Sequence, residues 1–429
     1  MKLLFTLSLI FTASPIIATP FLGDAGAASS SADGVGKNPA NAGYVSESEL
    51  FWIPQLLKSE KTQIRYPGFE TTEKGQSGLG DVLTMPSYVY KISPNMGAYL
   101  AVLPPGIGAD LKIKDVPIVV FDQVNSVDVS GRANINGLLD FKFGQKINNR
   151  IGWGIGLSYA SFVLDISVSP SEGGGTLVDV SQDLKIFNLT TGLRFNPTRK
   201  IHLGLAVGLL SNVSSTMELK SGIGSSEEGE QQQSSETSDW FRKITVGSKV
   251  WIAKGISVLA DFTYKKAQAR QELSLNDFKN YDKDVYDTVS MGLGAKFKLD
   301  QRDSILSGFR YEPASVGPGG SGEGDSIGYS SIDVIYLFAP TTGEQFGMGG
   351  GLRPYWQIAA GYQRGFIKKK KTHKNTQKQK TASSTRYQLL VTTGAAYRRA
   401  SLGIDADGTL PGAYLSTKLF MPVQIQYKF

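Results

Sequence analysis

The chain has 429 residues, with 45 lysines and arginines against 38 aspartates and glutamates, and it contains no cysteine. Without cysteine, disulfide and thiolate chemistry are excluded. Seven of the lysines stand in one tract over residues 368–380, and away from it the charge is balanced, which excludes a nucleic-acid-binding composition.

The first predicted element is a leader. Met1-Lys2, an apolar run over residues 3–11 and small residues up to Ala18 read as a secretory signal peptide over residues 1–18. A helix needs about 20 apolar residues to span a bilayer, and no later run approaches that length. A helical membrane protein is therefore excluded.

Residues 19–47 form a second unit. The stretch 23–43 is small and polar and carries no lipid-facing stripe. It could pack inside a lumen, where small residues permit close approach, and its composition fits a disordered leader equally. A phosphate loop is excluded, because Lys37 is followed by Asn38-Pro39 and no strand precedes it.

From about residue 85 to the end, apolar and small or polar residues alternate. Residues 151–165 set Ile151, Trp153, Ile155 and Leu157 against Gly152, Gly154 and Gly156. Residues 132–143 set Leu139, Phe141 and Phe143 against Leu138, Asp140 and Lys142. The period recurs over 201–209, 242–252, 256–265, 285–299 and 415–429. Short turns near residues 93–95, 145–150, 196–200, 253–255 and 300–303 alternate with long polar connections over 105–130, 169–182, 220–239, 270–284, 312–330 and 368–384. Soluble sandwiches and propellers also alternate. Long runs with short turns on one side and long loops on the other predict instead an all-β fold, a transmembrane antiparallel barrel over residues 48–429. In lipid such a sheet must close, since an open edge leaves backbone groups unpaired. Counting hairpins predicts about 14 strands, or 16 if residues 401–404 make a separate one. Val423, Ile425, Tyr427 and the terminal Phe429 alternate as the last strand, an arrangement similar to the signal read by the bacterial barrel-assembly machinery.

Leu22-Gly23, Ser31-Ala32-Asp33 and Asn38-Pro39-Ala40, placed after a leader and before a barrel, resemble the N-terminal hatch of the FadL-type long-chain fatty-acid transporter family. Residues 85–103 are similar in placement to that family's second and third strands, and looser similarity runs to Phe429. The resemblance implies a barrel of about fourteen strands plugged by residues 19–47. It also implies a place in the outer membrane, and a hydrophobic ligand such as a long-chain fatty acid, held in the lumen and released past the hatch, sideways into the membrane.

Several residues are candidates for that task. Pro104, Pro105 and Gly106 interrupt an apolar strand; proline cannot donate to a ladder and glycine invites a bulge, so they mark either a wall opening or the start of an outer loop. A ligand carboxylate would want arginine, which stays charged and binds through two hydrogen bonds. By alternation Arg132, Arg194 and Arg242 face inward, where carboxylates such as Asp140 could equally pair with them. Lys368, Lys369, Lys370 and Lys371 fall in an expected outer loop, as a solvated tract or as a salt-sensitive contact with the phosphates of a surface glycolipid. His202 and His373 are the only histidines and neither stands in a nucleophile-and-base pattern, so no enzyme, cofactor or metal is expected. The competing function is a general porin, or a structural barrel serving a secretion partner.

Overall fold

The computed structural model describes residues 20–22, 25–53, 55–66, 69–75, 86–103, 107–120, 123–171, 178–221, 229–266, 287–313, 355–367, 387–404 and 412–429. The expected leader, the kink candidates Pro104, Pro105 and Gly106, and the lysines Lys368, Lys369, Lys370 and Lys371 lie outside the described residues.

Seventeen strand segments follow one another: β1 Glu49–Trp52, β2 Gln55–Tyr66, β3 Phe69–Gly75, β4 Ser87–Ser93, β5 Met96–Leu103, β6 Ile107–Val120, β7 Gln123–Lys146, β8 Ile151–Pro170 and β9 Val178–Phe195. They continue as β10 Ile201–Ser221, β11 Gly229–Ala253, β12 Ile256–Lys265, β13 Thr288–Lys298, β14 Asp303–Glu312, β15 Tyr355–Ile367, β16 Tyr387–Ile404 and β17 Gly412–Lys428. Pairs β1/β2, β3/β4 and β5/β6 are lower and upper parts of single staves, so the segments form a closed antiparallel barrel of fourteen staves. β17 closes the ring, pairing with β16 on one side and with β1 and β2 on the other (Phe51↔Gln426, Lys61↔Thr417). The backbone nitrogen of Phe429 donates to Ser48 O at 3.1 Å and ties the two ends together. Residues 401–404 continue β16 against β17 (Ser401↔Leu415), so the sixteen-strand count is excluded.

Alternation explains the two surfaces. On β8 Trp153 and Ile155 point outward and are 37% and 41% exposed, while Gly152, Gly154 and Gly156 point inward and are buried. Leu193, Phe262, Phe297 and Ile358 extend the exposed apolar band around the wall. Continuous apolar surface of this kind marks a lipid-facing exterior.

One rim carries the short reversals. Asn148 Oδ1 accepts from Arg150 N and Ile151 N at 2.8 and 2.9 Å, Thr198 Oγ1 from Lys200 N and Ile201 N at 3.2 and 3.1 Å, and Asp300 Oδ1 from Arg302 N and Asp303 N at 2.6 and 2.8 Å. These side chains replace ladder partners at the points of reversal. The two-residue turn between β11 and β12 places Gly255 at φ 85°, open to glycine without a Cβ penalty.

The opposite rim differs from expectation. Residues 105–130, 169–182 and 220–239 are largely strand: β6 and β7 pair to Val120↔Gln123, β8 and β9 to Val168↔Val178, and β10 and β11 to Ser221↔Gly229. These ribbons rise beyond the apolar band. Side-chain hydrogen bonds join neighbouring strands along them, from Ser171 Oγ to Asp128 Oδ1 at 2.8 Å, from Ser181 Oγ to Asp165 Oδ1 at 2.7 Å and from Asn212 Nδ2 to Glu236 Oε1 at 2.9 Å. β15 descends beside β14 to the short-turn rim (Asp303↔Arg364) and meets the start of β16 there (Ile367↔Tyr387).

The N-terminal segment runs inside the bore. It holds a 3₁₀ turn Pro20–Leu22, the helix α1 Ala32–Lys37 and a 3₁₀ turn Pro39–Tyr44. Residues 25–29 and 38–43 are buried, and the segment, here called the plug, packs against the inner wall towards its short-turn end.

Candidate functional site: the plug and the lumen wall

The plug is too small to hold itself together, and the wall supplies what it lacks. α1 has only six residues and no side-chain cap, well below the length at which a helix is stable alone. Its entry is held by Glu49 on β1, whose Oε1 accepts from Ala32 N at 3.1 Å. Asp261 on β12 accepts from the backbone nitrogens of Gly26 and Ala27 at 2.7 and 2.8 Å through one carboxylate oxygen. A charged acceptor meeting two amides in a buried place is among the stronger contacts available.

The Asn38-Pro39-Ala40 motif has a structural reason for each residue. Asn38 Oδ1 accepts from Ala40 N at 3.1 Å and caps the 3₁₀ turn. Its Nδ2 donates to Ala27 O inside the plug and to Leu193 O of β9, at 2.9 and 3.0 Å. Pro39 opens the turn, where a missing N–H is harmless. Ala40 is completely buried. Asn41 Nδ2 donates to Ala27 O and Gly34 O at 3.0 and 2.9 Å, and binds the plug's turns to one another.

Arg194 on β9 fastens this assembly to the barrel. It donates through Nη1 to Asn41 Oδ1 at 3.0 Å, through Nε to Asn196 Oδ1 at 3.1 Å and through Nη2 to His202 Nδ1 at 2.7 Å. Because guanidinium only donates, His202 Nδ1 is the acceptor. The guanidinium also lies 4.4 Å from the centre of the Tyr44 ring. Alternation placed Arg194 inward, but its partner amide, 153 residues distant, leaves no trace in local pattern.

Glycines make the fit possible. A Cβ on Gly192 would stand 2.0 Å from Asn38 Oδ1, one on Gly204 2.0 Å from Ala27 O, one on Gly144 2.2 Å from Pro39 O and one on Gly97 2.3 Å from Ala42 O. No real side chain tolerates such distances. Inward glycines around the ring thus let the plug's backbone touch the wall directly.

Val89, Tyr99, Leu138, Ala160 and Ile186 of the inner wall pack with Ala32 and Val35 of the plug in one buried apolar cluster. Inward cations above the plug have carboxylate partners. Lys142 pairs with Asp140, which also accepts from Ser158 Oγ at 2.7 Å. Lys265 and Arg310 share the fully buried carboxylate of Glu312, with Arg310 Nη2 at 2.9 Å. Asp140, read from sequence as a partner for the arginines, is held by Lys142.

The two candidate carboxylate anchors fall in different surroundings. Arg242 on β11 is buried in the lumen wall, and its Nη1 stands 3.5 Å from Ser211 Oγ. It follows Phe241, which has φ 55° at an irregularity where Gly208↔Lys243 gives way to Leu210↔Trp240. Arg132 on β7 stands in register with Asp110 on β6 and Asp165 on β8, and its side chain is outside the described residues. A register shift between Ile135 and Gly137 separates it from inward Leu138 and Lys142, so their alternation does not extend to it. On either side of the kink candidates the described pairings are Leu103↔Leu138 and Ile107↔Ile135.

No protein-family profile matches the chain, and no curated protein matches its sequence. Solved structures do match its fold. A Pseudomonas aeruginosa FadL homologue superposes with a TM-score of 0.58 at 12% identity, covering 98% of this chain and 99% of that one. The Pseudomonas putida toluene transporter TodX gives 0.57 at 12% identity over 98% and 100% of the two chains. The Ralstonia pickettii toluene transporter TbuX gives 0.52 at 10% identity over 98% and 99%. Likeness at such identity is one of fold, and the fold this chain adopts is that of the FadL-type family.

Proposed function

We propose that the protein carries hydrophobic compounds across the bacterial outer membrane, with the short-turn rim on the periplasmic side. The observation that carries this reading is the plug: buried, backed by glycines and tied to the wall by Asp261, Arg194 and Asn38, it fills the bore that a general porin would keep open. The fold likeness to toluene transporters and to a FadL homologue agrees with it.

A compound entering from the outer side meets the plug and needs an exit. We assign that exit to the wall at Pro104, Pro105 and Gly106. Among the described residues β5 pairs on both sides, with β4 and β7, whereas β6 pairs with β7 alone, so no ladder joins β6 to β3. Backbone groups freed there would face the passing ligand rather than bulk lipid. For a long-chain fatty acid, Arg242 is the lumen cation we assign to the carboxylate, with Arg132 as its counterpart on β7. The alternating strand that ends at Phe429 supports recognition by the barrel-assembly machinery during insertion.

The test is flux of toluene and of a long-chain fatty acid into proteoliposomes, with single-channel recording in parallel. Transport without steady conductance is the expected result. Large steady openings without hydrophobic uptake would instead establish a porin. Pro104→Val with Pro105→Thr separates the exit from the rest: uptake should fall while ligand binding in the lumen persists.

A further inference from the structure

Below the plug the lumen carries a set of lysines that the transport reading does not use. Three descending strands repeat one pattern, a glycine against the plug followed two residues later by a cation: Gly192-Leu193-Arg194 on β9, Gly247-Ser248-Lys249 on β11 and Gly294-Ala295-Lys296 on β13. A Cβ at Gly247 would meet Ala27 Cβ at 2.7 Å and one at Gly294 would meet Leu22 O at 2.5 Å, which shows that these positions face the plug. Strand period then puts Lys249 and Lys296 on the same inner face, about 7 Å nearer the short-turn rim. Lys428 joins them on β17, in register with the inward Glu49.

These cations converge. Lys249 lies within electrostatic reach of Arg194 and Lys428, and Lys296 within reach of Lys249, Lys298 and Lys428. β11 and β17 are six staves apart in a ring of fourteen, so Lys249 and Lys428 approach each other from nearly opposite walls. The polar contacts are few. Lys296 Nζ donates to Gln363 Oε1 at 2.6 Å, and Lys249 Nζ stands 5.0 Å from the centre of the Trp251 ring. Among the described residues no ion pair reaches Lys249, Lys296, Lys298 or Lys428, whereas Lys142 and Lys265 above the plug each have a carboxylate. Asp33 and Glu49 are the acids near enough to act on the group, and Glu49 already accepts from Ala32 N.

We propose that the lysines gathered between the plug and the short-turn rim form a binding site for a singly or doubly charged anionic head group, a carboxylate or a phosphate. Like charges gathered on half-buried positions repel one another, and an anion among them relieves that repulsion more effectively than water. Lysine suits the task as a mobile point charge that can follow a head group of either shape. The site stands whether or not the bore above carries hydrocarbon. Two sources share this chemistry: the head group of an amphiphile that has passed the plug, and a free anion entering from the short-turn side.

The experiment is calorimetric titration of the full-length mature protein, in non-ionic detergent, with hexanoate, hexanol and inorganic phosphate. Hexanoate should bind, should weaken as salt rises, and should bind at least about tenfold more weakly to a Lys249→Gln, Lys296→Gln, Lys428→Gln variant; the arginine triple variant should keep the binding. Hexanol should not distinguish the variants. Phosphate binding with the same lysine dependence identifies a free anion as the occupant, and phosphate without effect identifies an amphiphile. Equal hexanoate binding by wild type and glutamine variant overturns the proposal, as does an equal loss for hexanol. Should the triple variant fail the heat-modifiability assay for a folded barrel, Lys249→Gln alone serves, with a smaller loss of the same sign.

Discussion

Arg194 on the barrel wall donates through Nη1 to the Oδ1 of Asn41 in the plug, at 3.0 Å and across 153 positions of sequence. The same Asn41 uses its Nδ2 on the carbonyls of Ala27 and Gly34. One side-chain pair thus couples β9 to two turns of the plug, and a hydrogen bond to a charged group is worth about 1.5–3 kcal/mol. Arg194→Met should loosen the plug without unfolding the barrel. Planar-bilayer recordings are expected to show brief openings absent from the wild type; a bilayer as silent as wild type would deny Arg194 this role.

Asp261 makes the second tether. Asp261→Ala removes the acceptor shared by Gly26 N and Ala27 N and leaves two buried amides to find other partners, at about 1–3 kcal/mol each. Amide exchange at Gly26 and Ala27 should accelerate by one to a few orders of magnitude, roughly as those energies dictate, while exchange along β12 changes little. Unchanged protection at both amides would show that another contact holds that turn.

The glycine contacts predict a contrast between two substitutions. Gly204→Val drives a side chain into Ala27 O, a backbone atom 2.0 Å from the Cβ position, whereas Gly137→Ala meets nothing within 4 Å. Overpacking costs about 1–3 kcal/mol or more, and here it should displace the plug rather than the closed wall. Cells carrying Gly204→Val should become sensitive to large antibiotics that the wild type excludes, and Gly137→Ala should be silent. Equal behaviour of the two would remove the close-approach argument.

Glu312 serves two cations in the upper lumen. Glu312→Ala leaves Lys265 and Arg310 without their shared carboxylate. Breaking a buried ionic cluster in this way costs about 3–5 kcal/mol. Unfolding in urea with the protein in micelles should show a loss of that order, and replacing Lys265 with Met in the same chain should recover part of it. A loss below about 1 kcal/mol, the range of surface pairs, would mean that water reaches the cluster.

At the short-turn rim, hydrogen bonds from the backbone nitrogens of Arg302 and Asp303 hold the Asp300 carboxyl below its usual range. A depressed native value contributes stability that is fully present above the unfolded carboxylate range and is lost as pH falls through the native value. Chemical-shift titration of Asp300 should give a midpoint below that of an unstructured peptide, and the turn amides should move with it. A midpoint at the ordinary aspartate value counts against the turn geometry.

Much of the barrel was legible because alternation is local. Gly152, Gly154 and Gly156 against Trp153 and Ile155 declare the two faces of β8 without reference to any other strand. The upper part of β11 was illegible for the complementary reason: residues 229–238 are small or polar throughout, so Gln231, Gln232 and Ser234 carry no periodic signal, and only their pairing with β10 makes them strand.

By itself the sequence determined which residues face lipid and which face the bore, the places where the chain reverses, and the presence of a small polar segment unfit to cross a membrane. It did so because strand period and turn chemistry act over two to five residues. Tertiary structure alone decided that Arg194 would meet Asn41, that Asp261 would hold Gly26 and Ala27, and that lysines from β11, β13 and β17 would gather under the plug. Those meetings depend on closure of the ring and on the stagger of its staves, which bring together residues hundreds of positions apart and leave no mark on any short stretch of chain.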